Sequence, residues 1–217
     1  MGKFKNIGVV VAARTNSTRL PGKVLLPLNG KPLIIFLLER LSTSKEINKL
    51  ILATTNRKSD DKLASIVRSK KYEVFRGNEK NLVKRYVDVA EKYALDYIVR
   101  VTGDCPLVDS KTLDYSINQI KNKIPFDLAT TKGFFPVGID YEIYSKESME
   151  KIFSENSLTS EDKEHLTLYF YKNKKSFNIV NIHPKPNWEK DYIFTVDTKE
   201  DYLRIKTLLN KGFISID

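Results

Sequence analysis

The sequence is most informative first in what it lacks. It holds a single cysteine, Cys105, which excludes a disulfide framework and a cysteine-rich zinc site. Its apolar runs reach about 4–6 residues, far short of the roughly 20 needed to span a bilayer. Met1-Gly2-Lys3-Phe4-Lys5 leads straight into an apolar strand, with no signal-peptide pattern, and Lys3 argues against Gly2 as a lipidation signal. A cytoplasmic protein with no membrane partner is the expectation. Histidine is scarce: neither His165 nor His183 is locally tied to Cys105, which therefore reads as a small packed residue, not a nucleophile. Internal repeats and low-complexity linkers are absent as well.

What is present is an ordinary globular composition, 41% apolar and 29% charged, over 217 residues. A chain of this length forms one domain and buries roughly 70% of its unfolded surface. The net charge is +10, and 28 of the 37 basic residues are lysine. They are scattered along the chain, without the cluster that a nucleic-acid footprint requires. An anionic small substrate, such as a nucleotide, fits scattered charge equally well.

Apolar runs alternate with amphipathic stretches. Residues 7–13, 50–55, 73–75 and 97–102 read as strands, the first buried on both faces. Helices are expected at 31–41, after Ser59 as a cap, along the stripe Leu82, Tyr86, Val89, Ala90 and Tyr93, and at 110–120. This alternation predicts an α/β fold: a Rossmann-like, mostly parallel sheet flanked by helices. After about residue 130 the pattern changes. Residues 140–144 alternate as a strand with one exposed face would, helices are expected at 146–153 and 162–171, strands at 177–182 and 192–196, and a last helix at 199–209. Residues 133–188 are read as a small inserted α+β subdomain.

Four segments could carry chemistry. Arg14–Lys23 leaves the end of the first strand, where open α/β sheets bind ligands. Its cations Arg14, Arg19 and Lys23 and the flexible Gly22 suit a polyphosphate. It is no Walker A loop, because Ser17 stands where glycine is required and Val24 where serine or threonine is; the dinucleotide G-x-G-x-x-G is missing too. Thr102-Gly103-Asp104-Cys105-Pro106 ends another strand with a carboxylate suited to Mg²⁺, although a turn aspartate is the plainer reading. Asp197 ends a third strand, where it or Thr198 could simply cap the next helix. Two strand-ending aspartates facing a cationic loop together favour a metal–phosphate site. The fourth segment pair, 136–142 and 162–167, holds Asp140, Glu142 and His165 and suits a hydroxyl-rich substrate; a structural histidine is an equal alternative.

In order along the chain stand VVAARTNSTRLPGKVLLPLNGKPL, FRGNEKNLVKRY, VRVTGDCPLVD, FPVGIDYEIYS, DKEHLTLYFYKN and VDTKEDY. With these the sequence resembles the cytidylyltransferase family of acylneuraminate and KDO cytidylyltransferases, and most of all its SpsF-type spore-coat polysaccharide branch. The resemblance implies a nucleotidyltransferase (GT-A-like) fold with a dimerisation insertion, hence a homodimer, and transfer of CMP from CTP to an acidic sugar with release of pyrophosphate. It also implies that Ala12, Ala13, Arg14, Thr102 and Gly103 lie at the nucleotide, with Arg76 a further contact. Arg14 and Lys23 would hold the triphosphate, and Asp104 and Asp197 would bind Mg²⁺. Asp140, Glu142, His165 and Tyr169 would serve the sugar side and the dimer interface. Thr102 departs from the family, since KDO enzymes have glutamine there. Rival readings keep the fold and change the reaction to another nucleotide, a sugar phosphate acceptor or glycosyl transfer, or keep only a binding module.

Overall fold

Ile7–Ala12 has no polar side chain because neither of its faces meets water. In the computed structural model it forms β1, with Val9 and Val11 packed in one core layer and Val10 in the opposite one. The structure describes residues 6–155, 158–165, 167–186, 188 and 191–216. Gly2, Lys3 and Leu166, all part of expectations above, lie outside the described residues.

After β1 the chain makes a small antiparallel pair, β2 (Pro27–Leu28) and β3 (Lys31–Pro32), then α1 (Leu33–Ser42). There follow β4 (Lys49–Thr55), α2 (Asp61–Ser69), β5 (Glu73–Gly77), α3 (Leu82–Lys92), β6 (Tyr97–Thr102) and α4 (Ser110–Ile120). The later part supplies β7 (Leu128–Thr130), β8 (Glu142–Ser145), α5 (Lys146–Ser154), α6 (Ser160–Glu164), α7 (Leu168–Lys172), β9 (Ile179–Asn181) and α8 (Lys199–Asn210). The main sheet has seven strands in the order β5-β4-β1-β6-β8-β7-β9, and within it only β8 runs antiparallel to its neighbours. One face packs against α1, α2 and α4, the other against α3 and α5. A third cluster seats α8 through Ile205 against Leu28, Leu33, Phe194 and Val196. Among the described residues no helix is long and apolar enough to cross a membrane.

The expected α/β architecture is present, with four differences. First, residues 133–188 do not stand apart from the sheet, since β8 pairs with β6 and β7 and β9 pairs with β7. Second, β8 has no exposed face. All four of its residues are buried, and Glu142 is tolerated there because Arg100 of β6 lies opposite it. Third, the helix expected at 162–171 is broken into α6 and α7 by His165, whose φ of −107° and ψ of 80° are not helical. Fourth, the strand expected at 192–196 is reduced to one bridge, Val137 to Ile193. Its amides serve two loops instead: Phe194 N donates to Val137 O at 2.7 Å and Val196 N to Asp104 O at 2.8 Å. Gly138 permits this approach, for a Cβ there would stand 2.5 Å from Thr195 N.

Candidate active site

The C-terminal ends of β1 and β6 are hydrogen-bonded neighbours, so the loops that leave them share one cleft. Its cavity of about 400 Å³ is walled by Ala12 and Ala13, the loop after them, Thr102–Asp104 and Asp197, with Arg85, Arg100 and His165 further round. Gly103 is small for a packing reason: a Cβ there would lie 2.7 Å from the Cβ of Ala13.

The cationic loop is held shut from within and from below. Thr15 O accepts from Ser17 N at 3.0 Å and from Gly22 N at 2.9 Å, so the loop folds back on its own start. Gly22, with φ 71°, then turns the chain into the short 3₁₀ turn Lys23–Leu25. Beneath it, Asp60 accepts from Thr15 N at 2.8 Å and from the Thr15 hydroxyl at 2.7 Å, and takes a third bond from the Thr55 hydroxyl. Burial works against the Asp60 charge, but these donors outweigh it and hold the carboxyl below its ordinary value. Ser59–Asp61 reads as a helix start in the sequence, yet Asp60 makes no side-chain cap bond and spends its carboxylate on the loop.

Lys23 is the centre of the cluster. It is 8% exposed, and its ammonium donates to Asp104 Oδ2 at 2.8 Å and to Asp197 Oδ1 at 2.9 Å. Arg19 adds a second cation on Asp197 at 2.9 Å. Burial disfavours the Lys23 charge, but the two carboxylates overcome it and raise its pKa. Asp104 is disfavoured by burial in the same way, but Lys23 together with hydrogen bonds from the Thr102 hydroxyl and the backbone outweighs it and lowers its pKa. The two carboxylates, 93 residues apart in number, therefore converge on one point that already holds a positive charge. Asp197 is free for this because it does not cap α8. Thr198 is the N-cap and forms a capping box with Asp201.

Of the other sequence-predicted residues, His165 lines the cavity as an exposed side chain at the break between α6 and α7. Arg76 does not line it. That side chain is committed to Thr55 O at 2.9 Å, Arg57 O at 2.6 Å and Asp61 at 2.6 Å. Asp140 accepts from Gly138 N at 2.8 Å and pairs with Lys132 at 3.1 Å, and Tyr169 packs its ring on Phe177; neither lines the cavity. Glu142 is fully buried behind it. Cys105 is buried, and burial pushes its thiol up, away from nucleophilic use.

Arg85 and Arg100 were not among the residues singled out from sequence. Arg85 lies within the apolar stripe of α3, three residues after Leu82, and Arg100 interrupts the apolar run of β6; a cation inside a buried pattern was the available signal. Arg85 is anchored on the carbonyl of Asn78 at 2.9 and 2.6 Å, and burial above all, with the like charge of Arg14, pushes its pKa down. Five cationic side chains thus face three carboxylates around the cleft, a field that favours an anionic ligand.

Among the described residues no group of three or more His, Cys, Asp or Glu could hold a metal alone. Asp104 and Asp197 nevertheless fit Mg²⁺ in chemistry, because this ion takes one or two carboxylates and completes its shell with phosphate oxygens and water.

Residues 8–215 match the cytidylyltransferase family. The sequence is 33% identical to the spore coat polysaccharide biosynthesis protein SpsF of Bacillus subtilis, across 96% of this chain and 88% of that protein. A solved cytidylyltransferase from Leptospira borgpetersenii superposes with a TM-score of 0.89 at 35% identity, covering 97% of this chain and 89% of the other. A CMP-2-keto-3-deoxy-manno-octonic acid synthetase solved with CTP superposes with a TM-score of 0.75 across 96% of this chain and all of that one, at 18% identity, a likeness of fold.

Proposed function

This chain belongs to the cytidylyltransferase family, and from that premise we propose that it transfers CMP from CTP to a sugar acceptor, with Mg²⁺, in the making of surface polysaccharide. The observation that carries this reading is the convergence of Asp104 and Asp197 on Lys23 beneath a loop bearing Arg14 and Arg19. The loop cations and backbone suit a triphosphate. Asp104 and Asp197 would hold Mg²⁺, which when bound supplies neutralisation of phosphate charge. Ala12, Ala13, Thr102 and Gly103, which line the cavity, would form the floor on which the nucleotide rests.

In the reaction an acceptor hydroxyl attacks the α-phosphorus and gives up its proton to water, an O–P bond forms, and the bond to the β-phosphate breaks with pyrophosphate leaving. The chain contributes chiefly position and charge. Arg14, Arg19 and Lys23 gather the phosphates, and the pinned loop keeps them in place before substrate arrives. His165 lines the cavity as an exposed side chain and would meet the acceptor, an acidic sugar of the kind named for the family's KDO enzymes.

Incubation with CTP, Mg²⁺ and a panel of sugar acids and sugar phosphates tests the reading. Pyrophosphate release dependent on both CTP and acceptor is the expected result. Release of free nucleoside diphosphate would indicate glycosyl transfer, and no turnover with any nucleotide would overturn the enzyme assignment.

A further inference from the structure

Among the described residues Arg100 is the one cavity cation on the sheet itself, set two residues back along β6 from Thr102, roughly 7 Å from the strand end. Lys23 and Arg19 already face Asp104 and Asp197, and Arg85 is spent on backbone carbonyls. Arg100 is different. Its Nη1 donates to Glu142 Oε2 at 3.1 Å, while its Nε is buried without a hydrogen-bond partner. Glu142 Oε1 is likewise buried and unpartnered, with the Lys132 ammonium 3.9 Å away. Buried polar atoms are nearly always bonded, so the unpartnered Nε of a guanidinium that lines the cavity leaves donor capacity for a ligand to complete. Glu142 is 0% exposed and cannot itself reach a substrate, although it lies in the motif that reads as the acceptor side.

Resting on the sugar-acceptor reading above, we infer that Arg100 recognises an anionic group of the acceptor and that Glu142 is its positioning residue. A guanidinium held by one carboxylate is oriented yet retains donors, the arrangement that suits a carboxylate or a phosphate ligand. Its setting back from the strand end keeps this charge apart from the Lys23 cluster, so the acceptor's anion and its attacking hydroxyl occupy separate places. Neutral sugars are therefore poor acceptors.

The test compares the natural protein with Arg100→Lys and with the double variant Arg100→Met/Glu142→Gln, which removes both buried charges together so that neither is left unpaired. Pyrophosphate release is followed with CTP, Mg²⁺ and 3-deoxy-manno-octulosonate, N-acetylneuraminate or glucose 6-phosphate, each beside its uncharged counterpart (the methyl esters and glucose), which keeps the anomeric hydroxyl and loses the anion. An anionic acceptor is used and its counterpart is not. In the double variant its KM rises about tenfold or more while the KM for CTP stays within about twofold, and Arg100→Lys falls between. The sugar-acid and sugar-phosphate arms tell carboxylate from phosphate. Equal use of uncharged acceptors, or an unchanged acceptor KM in the double variant, overturns the inference. If the natural protein turns over none of them, calorimetry with the same anions on CTP-loaded protein decides. Failure of every anion to bind then overturns the inference, whereas failure of CTP itself to bind counts against the nucleotidyltransferase reading.

Discussion

Thr15 is fixed twice by one carboxylate, through its amide and its hydroxyl, and that carboxylate belongs to the connection after a different strand. Hydrogen bonds to a charged group contribute about 1.5–3 kcal/mol each, so Asp60 both stabilises the protein and sets the loop that carries Arg14 and Arg19. Asp60→Asn should lower stability by about 2 kcal/mol in denaturant melts and raise the KM for CTP more than it lowers kcat. Its carboxyl is depressed below the ordinary 3.8, so the stability it contributes is present above that pH and is lost as pH falls through the lower folded value. The variant should accordingly lose less stability than the natural protein on acidification below about pH 4. Arg76 gives the contrast. Its guanidinium braces the end of β4 and the start of α2, so Arg76→Ala should lower the melting temperature and leave the KM for CTP unchanged; a selective rise in that KM would return Arg76 to the nucleotide.

At the scale of elements, α8 separates capping from chemistry. Thr198→Ala removes one half of the capping box and should cost about 1 kcal/mol in thermal melts while CTP turnover is kept. The elements legible in the sequence were those whose pattern has a single physical cause. Residues 97–102 and 110–120 lie where they are expected, the first as an apolar, β-branched run and the second as a helical stretch between strands. Elsewhere the cause was tertiary. Glu142 and Tyr144 mimic an exposed alternation, and only Arg100 across the ladder shows why the glutamate is inside. The three residues of β7 are too few for a period, and residues 192–196 have strand composition but are drawn off by Val137 and Asp104. The strand-ending aspartates and the cationic loop were legible as parts; Arg85 and Arg100 passed as members of apolar runs.

For the whole molecule, the sheet order matters more than any one element. Placing β1 beside β6 and laying the 194–197 segment on Asp104 gathers residues from three distant stretches into one cleft. A ligand that binds there stabilises the native state, so CTP with Mg²⁺ at a hundred times its Kd should add about 2.7 kcal/mol, while random duplex DNA should give no comparable shift. The most direct test of the central claim is a double-mutant cycle of Asp104→Asn and Asp197→Asn in CTP turnover, read beside thermal melts. Lys23 keeps one carboxylate in either single variant, so folding should survive in both. If the two aspartates serve one metal–phosphate centre, each substitution costs about 10²-fold or more in kcat, and the double variant is far less than multiplicatively worse. Multiplicative losses, or an Asp197→Asn protein that turns over CTP at the natural rate, would contradict the shared centre.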